Sequence, residues 1–568
     1  APTVFNNSMR LGEWAFQINL PAGSVFGDYR NVLIFKFTTG KLSDLIKNPR
    51  KWTNPKDFNN SDNNELLFVS QWLQDYIDQA RQLAVGDPFY RNFIRIVDTD
   101  SWNGILALKV DIPVSQFPPS LKGLLGGIDV SKLNAHHLGI EVNYVTDTGT
   151  GLSAGDSSIF ALISYMDPAY ASQLANGGSA DRPVPSAPGD FDFKVLSLQV
   201  VFENSAIKGF SSKVQVTANK WFGDNVTGLA ADLAGGLSNS VVLNGTYEDH
   251  DGTPTFAFTS EGNDVFLLGS NILGAINILK AQFNTLTDPN APQGLVKSRF
   301  SFVGRMNFRP VKGFDLFSFG SSWSGGQPDP GDGLLFSNLF ITMSFDLGAP
   351  AARTFGFDPS SVTFDLKESV ARPTSLYSNF PITLLGLVRS DDGKSPSDLG
   401  YLPVSTKGAS LAGLSGSWYG LRFQLDMGTL GALAGQAGLI AAPIFAWSAG
   451  SGTTSPDSFN AYVGISLPGG AGGQAKLFSL QGILRLSIKD IQWMSGTTQE
   501  GGQAYMMKFT DIGLQFLGIK FPPSGNTVFF LFGDPDPNQP KSNLGWYAAY
   551  AKKAATQPPA LDQGKKPG

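Results

Sequence analysis

The sequence contains no cysteine, which excludes disulfides, thiolate catalysis and cysteine-ligated zinc together. Charge is scarce as well. Asp, Glu, Lys and Arg make up 16% of the 568 residues, against about 25% in ordinary soluble domains. A surface with so little charge is covered by Ser, Thr, Asn and Gly or by a partner, as in secreted proteins, surface proteins and subunits of large assemblies. The net charge of −5 provides no field toward nucleic acid or anionic lipid, and no Lys/Arg cluster overturns it. Only three histidines occur, which leaves few general bases. The longest charge-free stretch, 428–456, is mostly Gly and Ala, with Gln436 and Pro443 interrupting it. It reads as a short buried helix over 430–441 followed by a strand at 444–447, not as a membrane span.

What is abundant points to sheet. The chain holds 43 Phe and 10 Trp among 42% hydrophobic residues, and 65 Gly. Trp14, Phe16, Ile18 and Leu20 alternate with polar or small residues, the period of a half-buried strand. The clearest case is 299–309, where Phe300, Phe302, Met306 and Phe308 form one face and Arg299, Ser301, Arg305, Asn307 and Arg309 the other. One helix stands out over 62–85. Leu66, Val69, Trp72, Leu73, Tyr76, Ile77, Ala80 and Leu83 recur at three and four, and Gly86 with Pro88 stops it. The expected fold is mainly β, with long antiparallel strands in stacked sheets or an elongated β repeat and one or two helices. VLSLQVVF (195–202), LLFSNLFITMSF (334–345) and MKFTDIGLQF (507–516) look alike, which hints at a repeated unit or reflects only the resemblance of any two alternating strands, the reading favoured here.

Breaker-rich segments divide the chain. Residues 172–190 carry Pro, Gly, Ser and Ala without an apolar period and read as a boundary or a long loop. A second boundary falls in the Pro-bearing loops of 350–410. The expected units are an N-terminal β-rich domain over 1–171, a central β domain over 191–349, a C-terminal β domain over 350–555 and a disordered tail over 556–568. The opening APTVFNNSMRLGEW lacks the basic start and apolar run of a signal peptide. It reads as the start of a mature or excised portion of a longer precursor.

Several residues are candidates for chemistry, each with a plain alternative. Gly151-Leu152-Ser153-Ala154-Gly155 matches G-x-S-x-G, whose mechanism needs Ser153 on a tight strand-to-helix turn with a His and an acid nearby. A flexible Gly/Thr/Ser loop is the alternative. His136 and His137 are the other catalytic candidates. As neighbours in an extended chain they should point to opposite faces, which suits a structural pair better than a shared metal. Arg299, Arg305 and Arg309 form a stripe able to hold an acidic glycan or a phosphate, or simply the wet side of a strand. Asp329, Asp332, Asp534 and Asp536 lie in acidic turns that suit calcium, although Asp-Gly and Asp-Pro are also common turn formers. The glycine patterns at 149–154 and 470–475 open no amphipathic helix, so no nucleotide and no other cofactor is expected.

The strings AHHLGIEV (135–142), FDLFSFG (314–320), SLYSNFPITLLGL (375–387) and LGWYAAY (544–550) resemble segments of very large, uncharacterised (hypothetical) bacterial β-rich proteins. The resemblance implies no activity and carries over no functional residue. It implies that the chain is one portion of a larger polypeptide. Three functional readings follow from the residues. The leading one is a non-enzymatic structural or binding module, a segment or subunit of a larger secreted or surface assembly, with protein partners or self-association. The second is a carrier of an apolar or glycan ligand between sheets, and the third a polysaccharide or ester hydrolase. The expected place is extracellular or at the cell surface, with the cytoplasm also compatible.

Overall fold

The alternating segments become long antiparallel strands in the computed structural model, and the chain is mainly β. Residues 8–551 are described, apart from 19–28, 50–62, 142–144, 148–151, 155–158, 230–238, 287–289, 310–332, 407–413, 426–441, 449–460, 467–478, 481–483, 498–502, 522–525, 534–543 and scattered single residues and pairs.

A hairpin of β1 (Ser8–Leu11) and β2 (Trp14–Gln17) opens the fold, and β3 (Val32–Lys36) follows. Next come α1 (Leu42–Leu45), α2 (Asn63–Gly86) and α3 (Arg91–Val97). Then β4 (Gly104–Asp111) pairs with β3 on one side and β5 (Asn134–Glu141) on the other. A small separate hairpin, β6 (Val145–Asp147) and β7 (Leu152–Ala154), precedes β8 (Ile159–Met166), which pairs with β5. After α4 (Pro168–Ala175) and an irregular stretch, β9 (Phe191–Glu203) pairs directly with β8 from Phe160↔Glu203 to Met166↔Ser197. The breaker-rich stretch 172–190 is thus a long connection inside one continuous sheet.

That sheet runs on through β10 (Ala206–Ala218), with β11 (Lys220–Trp221) and β12 (Asp224–Leu229) at its side. It continues through β13 (Ser240–His250), β14 (Thr253–Leu268), β15 (Leu273–Leu286), β16 (Leu295–Phe308) and β17 (Leu334–Asp346). It ends on β18 (Thr354–Asp358) and β19 (Thr363–Asp365), both paired with β17. Strand twist accumulates along such a run. From β9 to β18 the sheet curls until its ends meet through side chains, not through backbone pairing. Phe191 of β9 stacks on Phe357 of β18 with ring centres 6.0 Å apart. Arg353, just before β18, bonds Asp192 of β9 at 2.5 Å.

The curl encloses a short glycine-rich helical turn, Pro119–Gly127, whose Leu121, Leu124 and Leu125 are fully buried. Glycine is needed where this turn touches the wall. A Cβ on Gly127 would stand 2.8 Å from the backbone nitrogen of Val195, and one on Gly123 would stand 2.5 Å from the Phe283 ring. Phe193, Phe258, Phe283 and Phe300 fill the space beside it, with Phe193 and Phe300 ring centres 5.0 Å apart. Such interdigitation has the density of a core, not of a lumen.

The strands β4, β5, β8 and β9 are buried on both faces. Ala107, Val110, Leu138, Ile163 and Val200 belong to the main core, while Leu106, Leu108, Phe160, Leu162 and Val201 face α2 and α3. Helix α2 sends Leu73, Tyr76, Ile77 and Ala80 onto that second face, as its periodicity requires. Its last turn differs from the expectation, since Leu83 is 47% and Val85 84% exposed. Strand β16 buries Phe300, Phe302, Met306 and Phe308 as the alternation demands, but Asn307 on the other face is fully buried too.

Ile382–Ser390, Trp418–Leu425, Ala442–Ser448, Ala461–Ser466 and Tyr401–Pro403 form a second, antiparallel sheet. The strand Ala442–Ser448 realises the expectation for 444–447, while 430–441 lies outside the described residues. A third sheet joins Ser405–Thr406, Asp490–Thr497, Gln503–Thr510, Asn526–Gly533 and Leu544–Ala551. Its first pairing, Ser405↔Gln492, is parallel. The repeat-like stretch 507–516 is divided after Thr510, because Gly513–Phe516 pairs in a separate four-stranded sheet. All three larger sheets contribute to one hydrophobic core, in which Phe222 meets Tyr419 and Phe308 meets Trp447.

Candidate functional site

The candidate histidines sit beneath the helices. The expectation that they point to opposite faces is corrected by a β-bulge. In the β5–β8 ladder Ala135 pairs with Ile163 and His137 with Leu162, so His136 is an extra residue and shares the helix-facing side with His137. Their Nδ1 atoms lie 3.0 Å apart. One nitrogen must donate and the other accept, so the two neutral rings hold complementary tautomers. Aromatic rings wall the pair in. Tyr76 stacks on His136 at 4.6 Å, and Phe93 lies 4.8 Å from His136 and 4.9 Å from His137. The Tyr76 hydroxyl donates to the His136 carbonyl at 2.7 Å. Burial, with the nearby Lys109 charge as a second cause, pushes His136 down to about 3. Burial, then His136 itself, pushes His137 well below its usual value. Both stay neutral at ordinary pH, held in a hydrogen bond to each other.

Ser153 occupies the middle of β7, opposite Thr146 in an antiparallel hairpin. The nucleophile motif instead requires its serine at the turn between a strand and a helix. The flanking segments 148–151 and 155–158 lie outside the described residues, as do the calcium candidates Asp329, Asp332, Asp534 and Asp536. Among the described residues no three His, Asp or Glu side chains gather as metal ligands.

The arginine stripe is spread over separate intramolecular partners. Arg299 lies over the Phe340 ring at 4.3 Å, Arg305 donates to the Glu368 carbonyl at 2.8 Å, and Arg309 to the Ser270 carbonyl at 3.0 Å. These contacts lock the strand surface in place and direct the guanidinium groups apart.

A different feature gathers functional groups on the surface. The chain leaves α2 through a turn at Pro88–Tyr90, capped by Asp87, which accepts from the Phe89 amide at 2.9 Å. The other Asp87 oxygen accepts from Gln199 of β9, pinning the turn to the sheet. Between this turn, the outer side of α3 and the end of the β9–β10 hairpin lies an open depression of about 460 Å³. Phe89, Arg91, Asn92, Arg95, Glu203 and Lys208 line it. Lys208 is aimed there by a second bulge, because Ile207 pairs with Phe202 and Gly209 with Val201, leaving Lys208 extra. Gly209 admits the aromatic ring: a Cβ there would stand 2.6 Å from Phe89 Cε1. Arg95 is fixed by donating to Asn92 Oδ1 at 2.7 Å. Arg91 and Lys208 have no ion-pair partner among the described residues.

No family model, curated protein or solved structure matches the chain. Sequence reasoning passed over the depression because its residues come from 88–95 and 201–209, segments joined only by β-pairing. The one local signal was Lys208-Gly209, a cation beside a glycine inside a strand pattern, the mark of a bulge or of a close approach.

Proposed function

We propose that the chain is a non-enzymatic structural or binding module, one segment or subunit of a larger secreted or surface assembly. The observation that carries this reading is the filled interior. The turn Pro119–Gly127 and the Phe193, Phe258, Phe283 and Phe300 side chains occupy the inside of the curled sheet. A body built this way meets other molecules at its surface rather than inside. The buried histidine pair agrees with it, since each ring is spent on the other and on the helices above. Exposed apolar side chains agree as well: Phe35 is 53% and Phe37 62% exposed on and after β3. A surface low in charge with such residues favours association.

Sedimentation velocity over a hundredfold concentration range tests the reading. The expected result is reversible association that strengthens with concentration and weakens when Phe35 and Phe37 are changed to Ser. A strictly monomeric chain overturns it. Native mass spectrometry on the same samples separates the alternatives, because a bound apolar ligand adds mass to the monomer and would favour the carrier.

A further inference from the structure

We infer that the depression between α3 and the β9–β10 hairpin is a binding site for an anionic sugar. Three cations, Arg91, Arg95 and Lys208, face it against one carboxylate, Glu203. The local sign is therefore positive on a chain whose net charge is −5, and a cleft of that kind concentrates anions. Arginine suits a carboxylate or sulfate because its fork of N–H donors matches two oxygens at once. Arg95, held by Asn92 Oδ1, keeps its orientation before the ligand arrives, and the same bond leaves the Asn92 amide nitrogen as a donor.

Glu203 and Phe89 narrow the class. A bare sulfate or phosphate gains nothing from a carboxylate in its site and is repelled by it. A sugar carries hydroxyl hydrogens that need an acceptor, and Glu203 supplies one. It also has an apolar C–H face, which suits the Phe89 ring resting on Gly209. The volume of about 460 Å³ lies in the range of ordinary small-molecule sites, roughly 300–1,000 Å³. The walls are rigid: Asp87 ties the turn to β9, and the bulge at Lys208 belongs to a long paired ladder. This site is independent of the association proposed above, which sedimentation reads separately.

Isothermal titration calorimetry on the full chain decides the matter, with digalacturonate, a sulfated glucosamine–uronate disaccharide, maltose and sodium sulfate as probes. At least one acidic disaccharide should bind at one site per chain, with maltose and sulfate at least about tenfold weaker, a gap of 1.4 kcal/mol. Lys208→Gln and Arg91→Gln should each weaken the acidic sugar about tenfold and leave the melting temperature unchanged, since both side chains are exposed. Glu203→Gln should weaken the sugar as well, because a neutral amide oxygen is a poorer hydroxyl acceptor than the carboxylate. Failure of both acidic disaccharides overturns the proposal, and so does maltose binding as tightly as they do. Sulfate binding equally well, and more tightly to Glu203→Gln, would reduce the site to a simple anion pocket and overturn the sugar assignment.

Discussion

Asp224 offers the sharpest test of the buried polar chemistry. It begins β12, is 3% exposed, and has one carboxyl oxygen without a hydrogen-bond partner. Burial pushes its carboxyl up to about 7, against the smaller opposing effect of the Ser270 hydroxyl. An unfolded Asp titrates near 3.9. Between about pH 4 and pH 7 the native state therefore holds a proton that the unfolded state has released. The associated stability is fully present below about pH 4 and is lost as the pH rises to about 7. The difference of about three pH units corresponds to about 4 kcal/mol. Asp224→Asn carries no charge at any pH and keeps the shape and the Ser270 contact. Urea unfolding of both proteins from pH 4 to pH 8.5 should give a difference curve that is flat near pH 4. It should then rise in favour of the variant by about 1.4 kcal/mol per pH unit and level off above about pH 7. A difference independent of pH would show that the carboxylate is solvated and refute the reasoning. A slope of the opposite sign would mean that the native state prefers the charged form.

The histidine pair acts in the other direction. Native values lie below the unfolded value of about 6.5, so stability is full above that pH and is lost as it falls toward 3; a His136→Phe, His137→Phe variant should unfold with a flatter acid limb, and an unchanged limb would refute the buried neutral pair. Arg353→Met should destabilise the chain by about 3–5 kcal/mol, because it leaves the Asp192 carboxylate buried and uncompensated beside the freed Gly126 carbonyl. In a double-mutant cycle with Asp192→Asn most of that loss should disappear, and strict additivity would show that the curl is not closed there. Gly127→Ala should lower stability by about 1–3 kcal/mol by pressing on the Val195 backbone, whereas Gly496→Ala, with open space around its Cβ, should be near neutral in the same thermal melts.

The sequence alone was enough to specify local structure wherever one period ran unbroken. The strand at 295–308 and the helix at 63–86 follow from apolar spacing, because burial on one face imposes a period of two or of 3.6 on any chain. The mainly β character was legible for the same reason, and the low charge from composition. Asn307 marks where that logic stops. Alternation assigns it to the outer face, but only the tertiary structure decided that this position would be buried too.

The rest depends on which strand lies beside which. A bulge moves one residue across the sheet without changing the local composition, so His136 and His137 come to share a face only through the register of β5 against β8. Lys208 reaches its depression only through the register of β10 against β9. The closure of Phe191 on Phe357 and of Arg353 on Asp192 joins residues more than 160 positions apart, by way of twist accumulated over many strands. Asp224 looks like any other turn acid until the surrounding core removes its water. The lack of cysteine and of charge narrowed the classes of function, while the position of the groups that could bind a ligand was decided by pairing alone. Side-chain period is a property of the chain, whereas register and burial are properties of its neighbours.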